Sequence, residues 1–313
     1  WDARSGEVLR VLQHQEAGGL FEAQAFPDGD RVATIGTDRT MAIWRVSSGV
    51  LLLRTQLPEA QRAVRVLVGG DRVVTGASLR IQDPALVWNV TDGAVLHEML
   101  LPRDKIHLLE ASASGDKIVA AGYGSVYVGD SASGLWEHAL HESLECPRQI
   151  AVSNGGGKVV ASFSSSVVVW DTADDGPPLV RFDFVDGPAP FLLRPSGLAL
   201  FGKERAGIWD FAGGHDVTLR GPGFVLEGLS APRATAARVV AATADGAIVA
   251  ACGRDGLFAR ASAWDAQTGR LLFSDTAPVS TFVSPARVCT VAVAQLQSMA
   301  EWFPSLTRAP HTW

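Results

Sequence analysis

A tryptophan followed five or six residues later by a glycine recurs through this chain, at Trp1 with Gly6, Trp44 with Gly49, Trp88 with Gly93, Trp170 with Gly176, Trp209 with Gly214 and Trp264 with Gly269. A degenerate copy, Gly129-Asp130 with Gly134, fills the one gap, so that successive spacings run 43, 44, 41, 41, 39 and 55 residues. Self-similarity at about 40 residues is the period of an architecture in which each repeat makes one small four-stranded sheet. Six of the nine tryptophans fall on this grid. Tryptophan chosen only to fill a core has no reason to keep a fixed distance to glycine, so the spacing is read as repeated structure.

The fullest copy is Thr34 to Gly49. Thr34 closes the apolar run that begins at Arg31, Asp38 sits in a tight polar turn, and Met41, Ile43 and Trp44 mark the next strand. A hydroxyl, a carboxylate and an indole N–H are the partners of a hydrogen-bonded network inside a sheet, where an unpaired buried indole would be costly. An acid or amide follows Trp in most copies, as Asp2, Asn89, Asp171, Asp210 and Asp265, with Asp130 in the degenerate one.

On these residues the chain resembles the WD40 repeat β-propeller family, over roughly residues 1 to 275. Family members usually carry a Gly-His dipeptide before each first strand. It is absent here as such, and His14 is the nearest candidate. At the turn matching Asp38, the repeats around Gly129, Trp170 and Trp209 offer Tyr123, Ser164 to Ser166, and Lys203-Glu204 instead. The resemblance implies an all-β fold, a propeller of about seven four-stranded blades over residues 1–294 with an incomplete closing blade, and an irregular tail over 295–313.

Composition agrees with a single large β domain. Apolar residues make up 47% and charged ones 19%, too apolar for disorder, and glycine concentrates at expected hairpin turns such as Val68 to Asp71, Asn154 to Gly157 and Ala244 to Gly246. A net charge of −6 without long runs of either sign lacks the electrostatic footprint of a nucleic-acid binder. Cys146, Cys252 and Cys289 are scattered, which fits buried thiols in a reducing compartment better than a disulfide framework. Neither a membrane-spanning apolar run nor a basic-then-apolar leader is visible, so the expectation is a cytoplasmic protein.

At the ends of the chain, Gly6 to Leu12 reads as an outer strand, and Val279 to Val283 with Arg287 to Val293 as two inner strands. Pairing these across the termini closes the ring. The longest interval contains an insertion, Gly221 to Thr235.

The candidate chemistry has bland readings. An acid once per repeat serves a recurring turn rather than catalysis. His138, His141 and Cys146 could be imagined as zinc ligands, but residues three apart on a strand face opposite ways. Gly155-Gly-Gly-Lys158 lacks the spacing of a phosphate loop and reads as a hairpin turn. No catalytic, metal or cofactor residues are expected.

The resemblance implies a non-enzymatic scaffold that binds a protein or peptide partner within a larger complex, itself a monomeric ring with no nucleic-acid or membrane partner. Alternatives are a quinoprotein-like dehydrogenase, whose repeats usually add a second Trp after the Gly where this chain has Val-Leu or Leu-Leu, and the sensor propeller of a longer nucleotide-switch regulator. The partner face is expected where second-to-third-strand turns meet the loops entering each first strand. That places Arg39, Arg80, Tyr123, Arg205 and Arg254 around the mouth, and suggests an acidic or aromatic-anchored peptide.

Overall fold

The computed structural model describes residues 7–14, 19–59, 61–77, 83–102, 104–141, 145–173, 175–184, 191–194, 197–201, 206–211, 216–218, 239–242, 248–255 and 258–278. Among the described residues, twenty-four strands form six four-stranded antiparallel sheets, each in simple sequential order, and no helix occurs. The first sheet holds β1 (Leu20–Ala25), β2 (Arg31–Gly36), β3 (Thr40–Arg45) and β4 (Val50–Gln56). The second holds β5 (Ala63–Val66), β6 (Arg72–Gly76), β7 (Ala85–Asn89) and β8 (Val95–Met99). Next come β9 (Leu108–Ala111), β10 (Lys117–Ala121), β11 (Ser125–Asp130) and β12 (Leu135–His141), then β13 (Gln149–Val152), β14 (Lys158–Ser162), β15 (Ser166–Asp171) and β16 (Val180–Asp183). The last two sheets are β17 (Phe191–Arg194), β18 (Gly197–Phe201), β19 (Ala206–Asp210) and β20 (Asp216–Thr218), and β21 (Val239–Ala242), β22 (Ile248–Asp255), β23 (Phe258–Asp265) and β24 (Leu271–Pro278).

The chain divides into two compact units, Trp1–Ser164 with Val168–Arg181, and Ser165–Val167 with Phe182–Trp313. In the first unit, consecutive sheets pack face to face. The second and third strands are short apolar runs buried on both faces, as their Val, Ile and Ala content requires, whereas β4 and β8 are largely exposed. Ile35, Ile43, Val73 and Trp88 share one core between the first two sheets; Val74, Val87, Met99 and Ile118 fill the next; Val119, Val128, Val159 and Trp170 fill a third. In the second unit, Phe191, Leu198 and Trp264 are buried, and the Trp209 and Phe211 rings meet edge-on at 5.4 Å.

Local chemistry explains the repeat. In four sheets the residue four before the glycine accepts that glycine's N–H: Arg45 from Gly49, Asn89 from Gly93, Asp130 from Gly134 and Asp265 from Gly269. The glycine sits at φ between 69° and 73°, a left-handed conformation that other residues adopt at a cost. The carboxylates of Asp130 and Asp265 and the amide oxygen of Asn89 accept further N–H groups of the same turn. On these four third strands the ladder also slips by one residue at the tryptophan or its glycine equivalent, a bulge between Ile43 and Trp44 and its counterparts.

Adjacent sheets of the first unit are tied at their first strands. Glu22 on β1 accepts the Val64 N–H at 2.8 Å and Gln24 accepts the Val66 N–H at 2.7 Å, so β1 side chains satisfy the otherwise open edge of β5. Arg65, on the same strand, bridges Glu22 at 2.7 Å and Glu110 of β9 at 2.8 Å. Burial disfavours its charge, but Glu110 and then Glu22 more than offset this and raise its proton affinity above that of an ordinary arginine.

Two expectations about the chain's course change. Residues 7–14 carry no strand, so the segment read as an outer strand is instead held by single contacts such as Arg10 Nε donating to the Ser47 carbonyl at 2.9 Å. Arg254, expected in a second-to-third-strand turn, falls instead within β22, because β22 and β23 stay paired out to Asp255 and Phe258. The expected closing strands 279–283 and 287–293, the insertion 221–235 and the tail 295–313 lie outside the described residues.

Candidate functional site

The candidate surface is the end of the first unit where second strands turn into third strands, and its rigidity begins in a buried polar network. Trp44 Nε1 donates to Thr34 Oγ1 at 2.9 Å, and His14 Nε2 lies 2.6 Å from the same hydroxyl. His14 Nδ1 faces Asp38 Oδ2 at 3.5 Å. With the proton on Nδ1, toward the carboxylate, Nε2 accepts from Thr34, which in turn accepts from Trp44, and each group finds a role. Asp38 Oδ1 meanwhile accepts the Thr40 N–H at 3.0 Å and hydroxyl at 2.8 Å, and Arg54 reaches Oδ2 at 3.0 Å. Burial pushes the Asp38 carboxyl up, but these bonds from Thr40 and His14 outweigh it and hold the group below its ordinary range.

His14 thus reaches this network from a segment ahead of the first strand. Residues 15–18, between His14 and β1, lie outside the described residues. Gln61 plays the same part in the second sheet: its Oε1 accepts from Thr75, its Nε2 donates to the Pro84 carbonyl at 2.9 Å, and Trp88 Nε1 donates to Thr75 Oγ1 at 2.8 Å. Nothing at the sequence level distinguished Gln61; the signal was its position just before the first strand. Where Ala161 stands at the strand position of Thr34 and Thr75, Trp170 is 1% exposed and its indole N–H finds no acceptor among the described residues. Ala120 and Ala251 occupy the same strand position in the third and sixth sheets.

This network fixes the turn that carries Arg39, whose φ of 58° is stabilised by its N–H bonding to the Gly36 carbonyl and its own carbonyl accepting from Leu57 N–H and Gln56 Nε2. Tyr123 lies in the corresponding turn of the third sheet, 57% exposed, its N–H bound by Asp104 Oδ2 at 2.7 Å. Its ring meets His107 edge-on at 4.7 Å. Burial, and then Lys105, lower the proton affinity of His107. Arg39 and Tyr123 are brought to one end of the unit. Arg254 lies within β22 opposite Ala259 rather than in a turn, and Arg80 and Arg205 lie outside the described residues, as do Trp1 and Asp2.

The other candidates resolve locally. His138 Nδ1 meets Asp175 Oδ1 at 3.1 Å while His141 Nδ1 meets Ser125 Oγ at 2.8 Å, so the two histidines serve different neighbours. Cys146 is a free thiol whose pKa burial, and then Asp104, push up. Among the described residues no group of three or more His, Cys, Asp or Glu is placed to hold a metal ion. Gly155 to Lys158 forms the β13–β14 turn, and Lys158 pairs with Asp171 at 2.6 Å. A cleft of about 220 Å³ beside the network is lined by His14, Trp44 and Arg54 among others. That is smaller than the roughly 300–1,000 Å³ usual for small-molecule sites. Among the described residues no helix is long and apolar enough to cross a membrane.

The described residues define an all-β protein of repeated four-stranded antiparallel sheets, which fit a β-propeller-like fold. Among solved structures it is similar to a computationally designed protein, Ika8, crystallised in P63, at 19% sequence identity over 82% of this chain and 74% of that one with a TM-score of 0.65. At that identity the likeness shows the fold alone. No family model matches the chain, and no curated protein matches it.

Proposed function

We propose that this chain is a WD40-type β-propeller of about seven blades, the closing one incomplete, acting in the cytoplasm as a non-enzymatic scaffold that binds a protein or peptide partner within a larger complex. The observation that carries this reading is the exposure of Arg39 and Tyr123 at the same end of one unit, on hairpin turns where both residues' N–H groups are hydrogen-bonded. Turns held this way cost little to order on binding, which favours recognition of a partner by preformed loops. The His14–Thr34–Trp44 network supports the family half of the reading, because it unites a histidine before the first strand with a hydroxyl, an indole and an acid in one sheet. The recurring acids Asp130, Asp171 and Asp265 are engaged by their own turns, which favours a structural part for them.

The test is to isolate a partner by affinity capture and then measure its binding to Arg39→Glu/Tyr123→Ala. A loss of binding with an unchanged denaturation midpoint is expected. Undiminished binding removes this face from consideration.

A further inference from the structure

The two ends of the first unit treat their cations differently. At the end holding the β1–β2 and β3–β4 turns, Arg31 pairs with Asp28 at 2.5 Å, Arg45 and Arg72 lie 3.9 Å from Asp30 and Asp71, Lys117 pairs with Glu137, and Lys158 pairs with Asp171 at 2.6 Å. At the opposite end, Arg39, Arg62, Lys105 and Arg148 have no carboxylate partner among the described residues. Arg62, His107 and Arg148 hold equivalent places just before β5, β9 and β13, each N–H bonding to the carbonyl that ends the neighbouring second strand. The bonds from Glu22 and Gln24 to β5 set the level of the β5 entry, where Arg62 stands, against that of β1, where Phe21 stands.

Two of the four cations rest on aromatic rings instead. The Arg62 guanidinium lies 5.3 Å from the centroid of Phe21, and Lys105 Nζ lies 5.2 Å from that of Tyr123. Both rings remain open to solvent, 39% and 57% exposed. A cation over a ring keeps its full charge for a ligand while losing side-chain freedom in advance. The acids nearby are already engaged: Asp104 accepts the Tyr123 and Lys105 N–H groups at 2.7 Å, Glu145 accepts the Ser164 N–H at 3.3 Å, and Asp38 is held by Arg54.

We propose that this end of the unit binds an extended acidic peptide whose carboxylates pair with Arg39, Arg62, Lys105 and Arg148 while its apolar or aromatic residues lie against Phe21 and Tyr123. The inference rests on the reading of this face as the partner surface and adds the chemistry of the partner. A peptide is favoured over nucleic acid because the exposed Phe21 and Tyr123 rings offer apolar contact beside only four cations, where nucleic-acid binding rests on many phosphate contacts.

The probe is a fluorescein-labelled random Glu/Tyr copolymer, read by fluorescence anisotropy at low and raised salt, with a Lys/Tyr copolymer and oligothymidylate alongside. Glu/Tyr binding should weaken by about tenfold or more in Arg62→Glu/Arg148→Glu and stay within about twofold in Arg45→Glu, which reverses a charge at the opposite end. All three substituted positions are exposed, so each variant should keep the wild-type denaturation midpoint. Absent Glu/Tyr binding, equal loss in both variants, or tighter binding of oligothymidylate each overturns the acidic-peptide inference. If the copolymer fails while Arg39→Glu/Tyr123→Ala still abolishes capture of an isolated partner, the face stands and only the assignment of its ligand falls.

Discussion

Trp44 donates its indole N–H to Thr34 across the β2–β3 pair at 2.9 Å, and the same hydroxyl meets His14 from outside the sheet. One oxygen therefore joins two strands and an upstream segment. Removing any of the three leaves a buried polar atom without its partner, and this asymmetry between a made and an orphaned bond sets the first expectations.

Trp44→Phe should lower stability by about 1–3 kcal/mol, because the buried Thr34 oxygen loses its indole donor. Trp136→Phe should cost less, since the Trp136 indole N–H is buried without a hydrogen-bond partner among the described residues. Urea denaturation of both variants checks this, and equal midpoints with equal slopes would contradict it.

In the fourth sheet the missing partner can be supplied. Ala161→Thr should raise the denaturation midpoint in the wild-type background, by about 1 kcal/mol, by giving the Trp170 N–H an acceptor. The gain should vanish in Trp170→Phe. A gain of the same size in both backgrounds would show that the methyl, not the hydroxyl, acts.

Acid should weaken the first sheet through Asp38. Its folded pKa lies below the ordinary 3.8, so its stabilisation is complete above that value and is lost as pH falls through the lower folded one. Between about pH 5 and pH 2 the midpoint of wild type should therefore fall more steeply than that of Asp38→Asn. Parallel profiles would remove Asp38 from the acid response.

Arg65→Met should cost about 3 kcal/mol or more, because Glu22 and Glu110 would face each other without a cation. Arg31→Met, at an exposed pair with Asp28, should cost less than about 1 kcal/mol. Thermal or urea unfolding of the two variants distinguishes them, and similar losses would show that the Glu22–Arg65–Glu110 bridge contributes nothing particular.

The repeat was legible in sequence because turn and strand chemistry are local: the left-handed glycine, the acid that binds its own turn and the buried second and third strands all lie within a few residues of each other. The Thr34–Trp44 bond was legible for the same reason. His14 and Gln61 were less so, because each reaches its network from a segment joined to the sheet by an irregular connection whose length no periodicity governs. Arg62, Phe21 and Arg148 were missed altogether. They stand at strand entries rather than in the turns the eye follows, and only the side-by-side packing of first strands brings Arg62 over Phe21. Arg254 misled because strand length depends on how far a partner strand keeps pairing, here to Asp255 and Phe258.

The bonds from Glu22 and Gln24 to the Val64 and Val66 amides give neighbouring repeats a phase. Their acceptors are two residues apart and so are the donors, so a slide of one residue would present each acceptor with an amide pointing the other way, and a slide of two would leave one unpaired. The repeats are alike in backbone and unlike in this address. A copy of the first sheet set down in place of the second would offer Phe21 and Glu22 where Arg62 and Ala63 now stand, and would bring Gln24 rather than an arginine to meet Glu110. The neighbour relation of the first three repeats is thus written into their first strands, and exchanging those repeats would remove both the amide bonds and the arginine bridge.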